Sequence, residues 1–214
     1  MSLIKLSSKW LGYFIFLFLS VYLLLEVVFR ILPVSDSLKT NSVNSESPIL
    51  SFAPNRKVIR QIGFNFLHVN EKYINNYGYA TDQNFKLSSG SDKNVIAIIG
   101  DSYVEALQLK NNETFHGILK HKINSYNFYP IGISGSQLSQ YMAFSKFAED
   151  EFSPEIFIFV IIENDFDESF FQIKKQPGFH YFLDDGSLYR VDKTVSKIQK
   201  ILRFSAFLRY LDLD

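Results

Sequence analysis

Between Trp10 and Leu25 the chain carries no charged side chain, and the apolar run continues past Glu26 and Arg30 to Leu32. A helix of this composition is apolar on every face, which suits a bilayer better than water. Its 23 residues, rising about 1.5 Å each, reach roughly 34 Å against a hydrocarbon core near 30 Å. Residues 10–32 are therefore expected to form one transmembrane helix. Lys5 and Lys9 precede it, which by the positive-inside tendency leaves residues 1–9 in the cytoplasm, although Arg30 and Lys39 weaken the asymmetry. The remainder is expected outside the cytoplasmic membrane, periplasmic or extracellular. A cleaved signal peptide is the alternative, but Ile31-Leu-Pro-Val-Ser offers no small-x-small site. Glu26 and Arg30 lie four apart and can pair on one helix face near the outer interface.

Beyond the apolar helix, residues 33–50 are rich in Ser and Asn and read as a flexible linker. Residues 51–92 carry short alternating segments, Lys57 to Ile62 and Phe64 to Val69, expected to form an edge hairpin leading into the main domain, 93–214. There the pattern changes to continuous apolar runs. Val95-Ile-Ala-Ile-Ile99, Phe128-Tyr-Pro-Ile131 and Ile156-Phe-Ile-Phe-Val-Ile-Ile162 read as buried parallel strands separated by helices, an α/β arrangement. From Val195 to Leu211 apolar residues recur at three- and four-residue steps among Lys197, Lys200, Arg203 and Arg209. That periodicity predicts an amphipathic helix whose stripe faces the core, with a membrane-surface helix as the rival reading.

Each of the three buried strands ends on a polar turn. The first reaches Gly100-Asp-Ser102, where a serine on a strand-to-helix turn can expose its Oγ beside the N–H groups of the next helix. The second reaches Gly135 and the third reaches Glu163-Asn-Asp165. Parallel pairing would bring Ser102, Gly135 and Asn164 to one edge of the sheet, where open α/β sheets carry their chemistry.

In these blocks the chain resembles the SGNH, or GDSL-type, hydrolase superfamily, in particular its membrane-anchored envelope members associated with polysaccharide O-acylation. The resemblance spans roughly residues 50 to 210 and implies a three-layer α/β/α sandwich with a parallel, flavodoxin-like sheet. It implies Ser102 as nucleophile, with its own backbone N–H, that of Gly135 and the Asn164 carboxamide forming an oxyanion hole, and Asp101 supporting the turn. The implied activity is that of an esterase or O-acyltransferase on acyl esters, such as acetyl esters, of an envelope glycan. Ile162 stands where the third block usually has glycine. The family's Asp-x-x-His block, source of the general base, has no match, so the chain is expected to be C-terminally incomplete. The alternative is a catalytically inactive glycan-binding or polysaccharide-assembly protein with the same fold.

Four histidines could substitute for the base. His116 and His121, five apart on an expected helix, fall about 140° apart around it and read as surface or packing residues. His68 lies in an alternating segment suited to a cross-strand contact. His180 follows the third strand and could return toward Ser102 through a long loop. The 22 basic and 22 acidic residues cancel, leaving no field that would favour nucleic acid as a partner. Absence of cysteine excludes disulfides and thiolate metal sites, and no motif implies a cofactor or metal. The acidic groups Glu149-Asp-Glu151 and Glu163 to Glu168 read as a solvated helix end and as the turn holding Asn164. Tyr103, Tyr126, Tyr129 and Tyr141 flank the active edge, as core residues or as platforms for sugar rings.

Overall fold

Six consecutive buried residues, Val95 to Gly100, require a strand covered on both faces. The computed structural model, which describes residues 2–36, 38–63, 65–90 and 94–211 and side chains from Lys9 onward, places them at the centre of a three-stranded parallel sheet. Strand β3 (Asn94–Gly100) pairs with β4 (Tyr126–Gly132) on one side and β5 (Ile156–Phe159) on the other. Register runs from Asn94 opposite Tyr126 to Gly100 opposite Gly132, so both strands stop at the same level. Helix α4 (Leu138–Phe152) lays Tyr141, Phe144, Ala148 and Phe152 against the face that carries Val95, Ala97 and Ile99. The opposite face, with Ile96, Ile98 and Phe128, is covered by Val104 of α2 (Ser102–Glu105) and Leu119 of α3 (Phe115–Lys122). The protein is thus a mixed α/β chain with a parallel sheet.

The third strand is shorter and more exposed than its sequence suggests. It ends at Phe159, with Ile156 41% and Phe159 43% exposed, because among the described residues β5 has a neighbour on one side only. Two hairpins flank the sheet, β1 (Arg56–Ile62) with β2 (His68–Ile74), and β6 (His180–Phe182) with β7 (Leu188–Arg190). The second strand of the first hairpin, expected around 64–69, begins at His68, where His68 faces Ile62 across the ladder. Phe64 and the domain boundary at 92–93 fall outside the described residues.

Residues 33–50, expected as a flexible linker, are packed against the domain instead. Val34, Val43 and Leu50 are buried, Val43 bridges Lys193, and the Asp36 carboxylate accepts from Ile59 N at 2.8 Å. Polar composition here supplies side-chain bonds to the edge of β1 and to Phe52, such as Asn41 Nδ2 to Phe52 O at 3.1 Å, and these hold the segment in place.

Helix α1 (Ser2–Ile31) contains a stretch, Lys9–Ile31, long and apolar enough to cross a membrane, and most of its apolar side chains are exposed. The tail differs from the single core-facing helix that its periodicity predicts. It breaks into α6 (Lys197–Leu202) and α7 (Ala206–Tyr210), each opened by a serine cap, Ser196 and Ser205. Ser205 caps α7 by accepting from Leu208 N, which stops α6 and starts a new direction. The partner of α7 is α1. Glu26 accepts from Ser205 Oγ at 2.7 Å, Ala206 N at 3.0 Å and Phe207 N at 3.1 Å while paired to Arg30 at 2.8 Å. Phe29 packs against Tyr210 with ring centroids 4.3 Å apart and ring planes tilted by 31°.

Two substitutions test these contacts. A β-carbon on Gly132 would stand 2.7 Å from Val104 Cβ and 2.9 Å from Asp101 O, so Gly132→Ala is expected to destabilise the domain by about 1–3 kcal/mol, measured by urea denaturation. Glu26→Ala removes the acceptor of two backbone N–H groups, at a local cost of about 1–3 kcal/mol. Limited trypsinolysis is expected to cut faster at Arg203 and Arg209 in that variant, with the sheet domain unchanged.

Candidate active site

Strand β3 leads straight into α2, and the turn between them is built by Asp101. Its Oδ1 accepts from Tyr103 N at 2.9 Å, capping the helix, and its Oδ2 accepts from Ser102 Oγ at 3.2 Å. Asp101 is buried and Ser102 half-buried. Tyr103, 65% exposed, stands beside it, whereas Tyr129 and Tyr141 are core residues. Tyr126, half-buried, opens β4 at the opposite end of the sheet, which leaves Tyr103 as the exposed tyrosine of the four at this edge.

Gly135 lies in the turn after β4 with φ of +84°, a conformation that side chains resist. Asn164 opens α5 (Asn164–Asp167) after β5 and is exposed. All three residues thus follow the carboxyl ends of parallel, adjacent strands. Contacts between the turns tie that edge together. Glu105, at the end of α2, accepts from Ser134 N next to Gly135. Lys174 donates to Gly135 O at 3.1 Å and pairs with Glu168, whose carboxylate also takes a hydrogen bond from the Asn164 side chain. Both bonds lower the Glu168 carboxyl below its ordinary value, with Lys174 the larger cause. Asp165 Oδ2 accepts from Tyr141 Oη at 2.9 Å and from Ile162 N at 2.9 Å, which fixes the turn that carries Asn164.

The edge is acidic. Burial pushes the Glu105 carboxyl above the ordinary carboxylate range, opposed by the bond from Ser134 and by Arg60, while Asp101 adds to the rise. Burial does the same to Asp165, opposed by Ile162 N and Tyr141, and Asp101 again adds to it. One oxygen of each, Glu105 Oε1 and Asp165 Oδ1, is buried without a hydrogen-bond partner. A buried carboxyl with an orphan oxygen is held more cheaply as the neutral acid. Sequence reasoning singled out Asp165 as a turn residue but passed over Glu105. Its signal was an acidic residue inside the apolar run Val104 to Leu107.

No histidine hydrogen-bonds Ser102 among the described residues. The expected substitute, His180, is buried on β6 with its N and Nδ1 both directed at Gln140 Oε1, at 2.9 and 3.1 Å, and its carbonyl held by Gln137 and Ser139. Burial, with Arg190 second, pulls its imidazole down to about 4. His116 is also buried, and burial, with Lys72 second, pulls it down to about 4. His116 and His121, separated around α3, nonetheless both border one small cavity of about 90 Å³. His68 is exposed at the start of β2.

Comparison with known proteins returns no matching family model, no matching curated protein and no matching solved structure.

Both buried histidines stay neutral in the fold down to about 4, whereas an unfolded histidine takes its proton near 6.5. Between those values the unfolded chain binds more protons, so their contribution makes stability fall as pH drops from 6.5 toward 4. Glu105 and Asp165, raised in the fold, act in the opposite sense. The histidine part is isolated by comparing urea midpoints of wild type and a His116→Asn/His180→Asn variant, whose stability is expected to drop less steeply from pH 6.5 to 5.

Proposed function

We propose that the chain is an ester-processing protein of the SGNH type, with Ser102 as nucleophile, acting outside the cytoplasmic membrane on acyl esters of an envelope glycan. The observation that carries this reading is the common edge. A half-buried serine on a capped strand-to-helix turn lies at the sheet edge that also holds Gly135 and Asn164. Cover on both faces of the sheet, α4 on one and α2 with α3 on the other, supports a three-layer α/β/α sandwich.

In this reaction Ser102 Oγ attacks the acyl carbonyl and a tetrahedral oxyanion forms. The Ser102 N–H, the Gly135 N–H and the Asn164 carboxamide are the donors for that charge, which appears only after attack. Collapse breaks the bond to the sugar oxygen, which leaves with the proton that Ser102 Oγ gave up on attack, and acyl-Ser102 remains. Water or a second sugar hydroxyl then attacks the acyl carbon and frees Ser102. An esterase and an acyltransferase differ only in that acceptor. Tyr103 offers an exposed ring for the glycan.

A second reading has its own observation. The acceptor bonded to Ser102 Oγ is the adjacent Asp101 rather than an imidazole, and a serine lacking a base at its hydroxyl is a weak nucleophile. On that reading the chain binds an acylated glycan and does not turn it over.

The discriminating experiment uses a fluorophosphonate probe and a chromogenic acetyl ester on the purified full chain. Labelling that Ser102→Ala abolishes, with turnover lowered about 10²–10³-fold by Asn164→Ala, is the result expected of the esterase. A folded sample that neither labels nor turns over supports the binding reading.

A further inference from the structure

A cavity of about 450 Å³ lies between β1 and the C-terminal helices, where Ser35, Asp36, Arg60, Arg203, Arg209 and Tyr210 contribute to its wall. Its charge is lopsided. Asp36 faces three arginines and already accepts a backbone bond from Ile59. Arg209 is fixed as part of the frame, donating to Ser35 O at 2.9 Å and to Arg203 O at 3.0 Å. Arg203 is different: its Nε is buried with no hydrogen-bond partner. Arg60 is exposed at the same wall. Arg56 and Lys193 are both pushed below their ordinary values, by burial first, and both feel the charge of Arg203. A buried, unpaired guanidinium N–H beside two other arginines is costly unless an anion completes it.

The position of the cavity narrows the anion. Glu26, which caps α7, is five residues before the end of the apolar span at Ile31, so α7 docks about 7–8 Å inside that end at 1.5 Å per residue. An amphipathic helix lying in the interface buries its apolar face to about that depth, roughly 5–10 Å. The adjoining tail is built for the same layer. Ile198, Ile201 and Phe204 are 70%, 69% and 68% exposed, with Lys197, Lys200 and Arg203 interleaved, the composition of a helix lying in the interface.

We propose that the cavity walled by Arg60, Arg203 and Arg209 binds the phosphate of a membrane-lipid headgroup, with α6 and α7 lying in the bilayer interface beside it. The apolar side chains of the tail enter the acyl boundary, and the arginines close on the phosphate from the aqueous side. The site rests on the membrane helix and not on the chemistry at Ser102, so it stands whether that serine is catalytic or silent.

The test is native mass spectrometry of the full chain released from detergent micelles after incubation with phosphatidylglycerol, with diacylglycerol of the same acyl chains, or with inorganic phosphate. Wild type is expected to retain phosphatidylglycerol and to lose diacylglycerol. Arg60→Gln/Arg203→Gln is expected to lower retention at least about tenfold, since bonds to charged groups are the strong ones. Lys57→Gln/Lys120→Gln, which removes the same charge at exposed positions outside the cavity, is expected to leave retention unchanged. Should Arg203→Gln fail to fold, Arg60→Gln alone is expected to lower retention about threefold, being one of the cavity's charged contacts. Equal retention by the arginine variant, an equal loss in the lysine variant, or equal retention of diacylglycerol would each overturn the proposal. Inorganic phosphate binding as tightly as the lipid overturns it too, in favour of a free-anion site.

Discussion

Parallel pairing of β3 with β4 and β5 is the constraint on which the rest of the domain depends, because it obliges three loops to leave the sheet from one edge. Strands β3 and β4 end level, Gly100 opposite Gly132, and Val104 of the following helix presses against both ends. A β-carbon at Gly132 would collide with Val104 and with the Asp101 carbonyl, so the bareness of this strand end is what lets the Ser102 turn seat over it. The cost of the arrangement is crowding of like charge. Asp101, Glu105 and Asp165 meet at this edge, and the fold manages them by giving each a backbone N–H, from Tyr103, Ser134 and Ile162.

The same three bonds hold the edge rigid. Each joins a carboxylate to a turn, and two of them bind the candidate residues indirectly, Glu105 through Ser134 beside Gly135 and Asp165 through the turn before Asn164. Tyr141 adds a link from α4, which couples the turn after β5 to the core of the domain. Donors that must meet a transient oxyanion are useful only if they need no rearrangement when it appears. At this edge the N–H bonds to Glu105 and Asp165 oppose the rise that burial imposes on both carboxyls.

A second organising contact joins the two ends of the chain. Glu26 belongs to the apolar helix, yet it satisfies two N–H groups and a hydroxyl at the start of α7, about 180 residues later. A carboxylate in an apolar span is expensive unless paired, and Arg30 together with α7 supplies the pairing. The domain is thereby drawn close to the apolar helix. The packed segment 33–50 reinforces this, since residues bonded to β1 and to Lys193 cannot act as a free tether.

Local pattern alone determined the apolar helix, the three parallel strands and the Gly-Asp-Ser turn. Each announces itself within a dozen residues, through unbroken apolarity or through a glycine and a cap at the end of a buried run. Tertiary structure decided what covers each face and which distant groups meet. Periodicity from Val195 to Leu211 specifies a face without naming its partner, and the partner of α7 proved to be α1 while Ile198 and Ile201 are left uncovered by the rest of the chain. His180 likewise could have approached Ser102 by chain length, but Gln140 on α4 holds its ring. The pairings of Glu26 with Ser205, Glu105 with Ser134 and Tyr141 with Asp165 leave no local trace, because a long-range hydrogen bond depends on how elements dock, and docking is set by shape and burial summed over the whole chain.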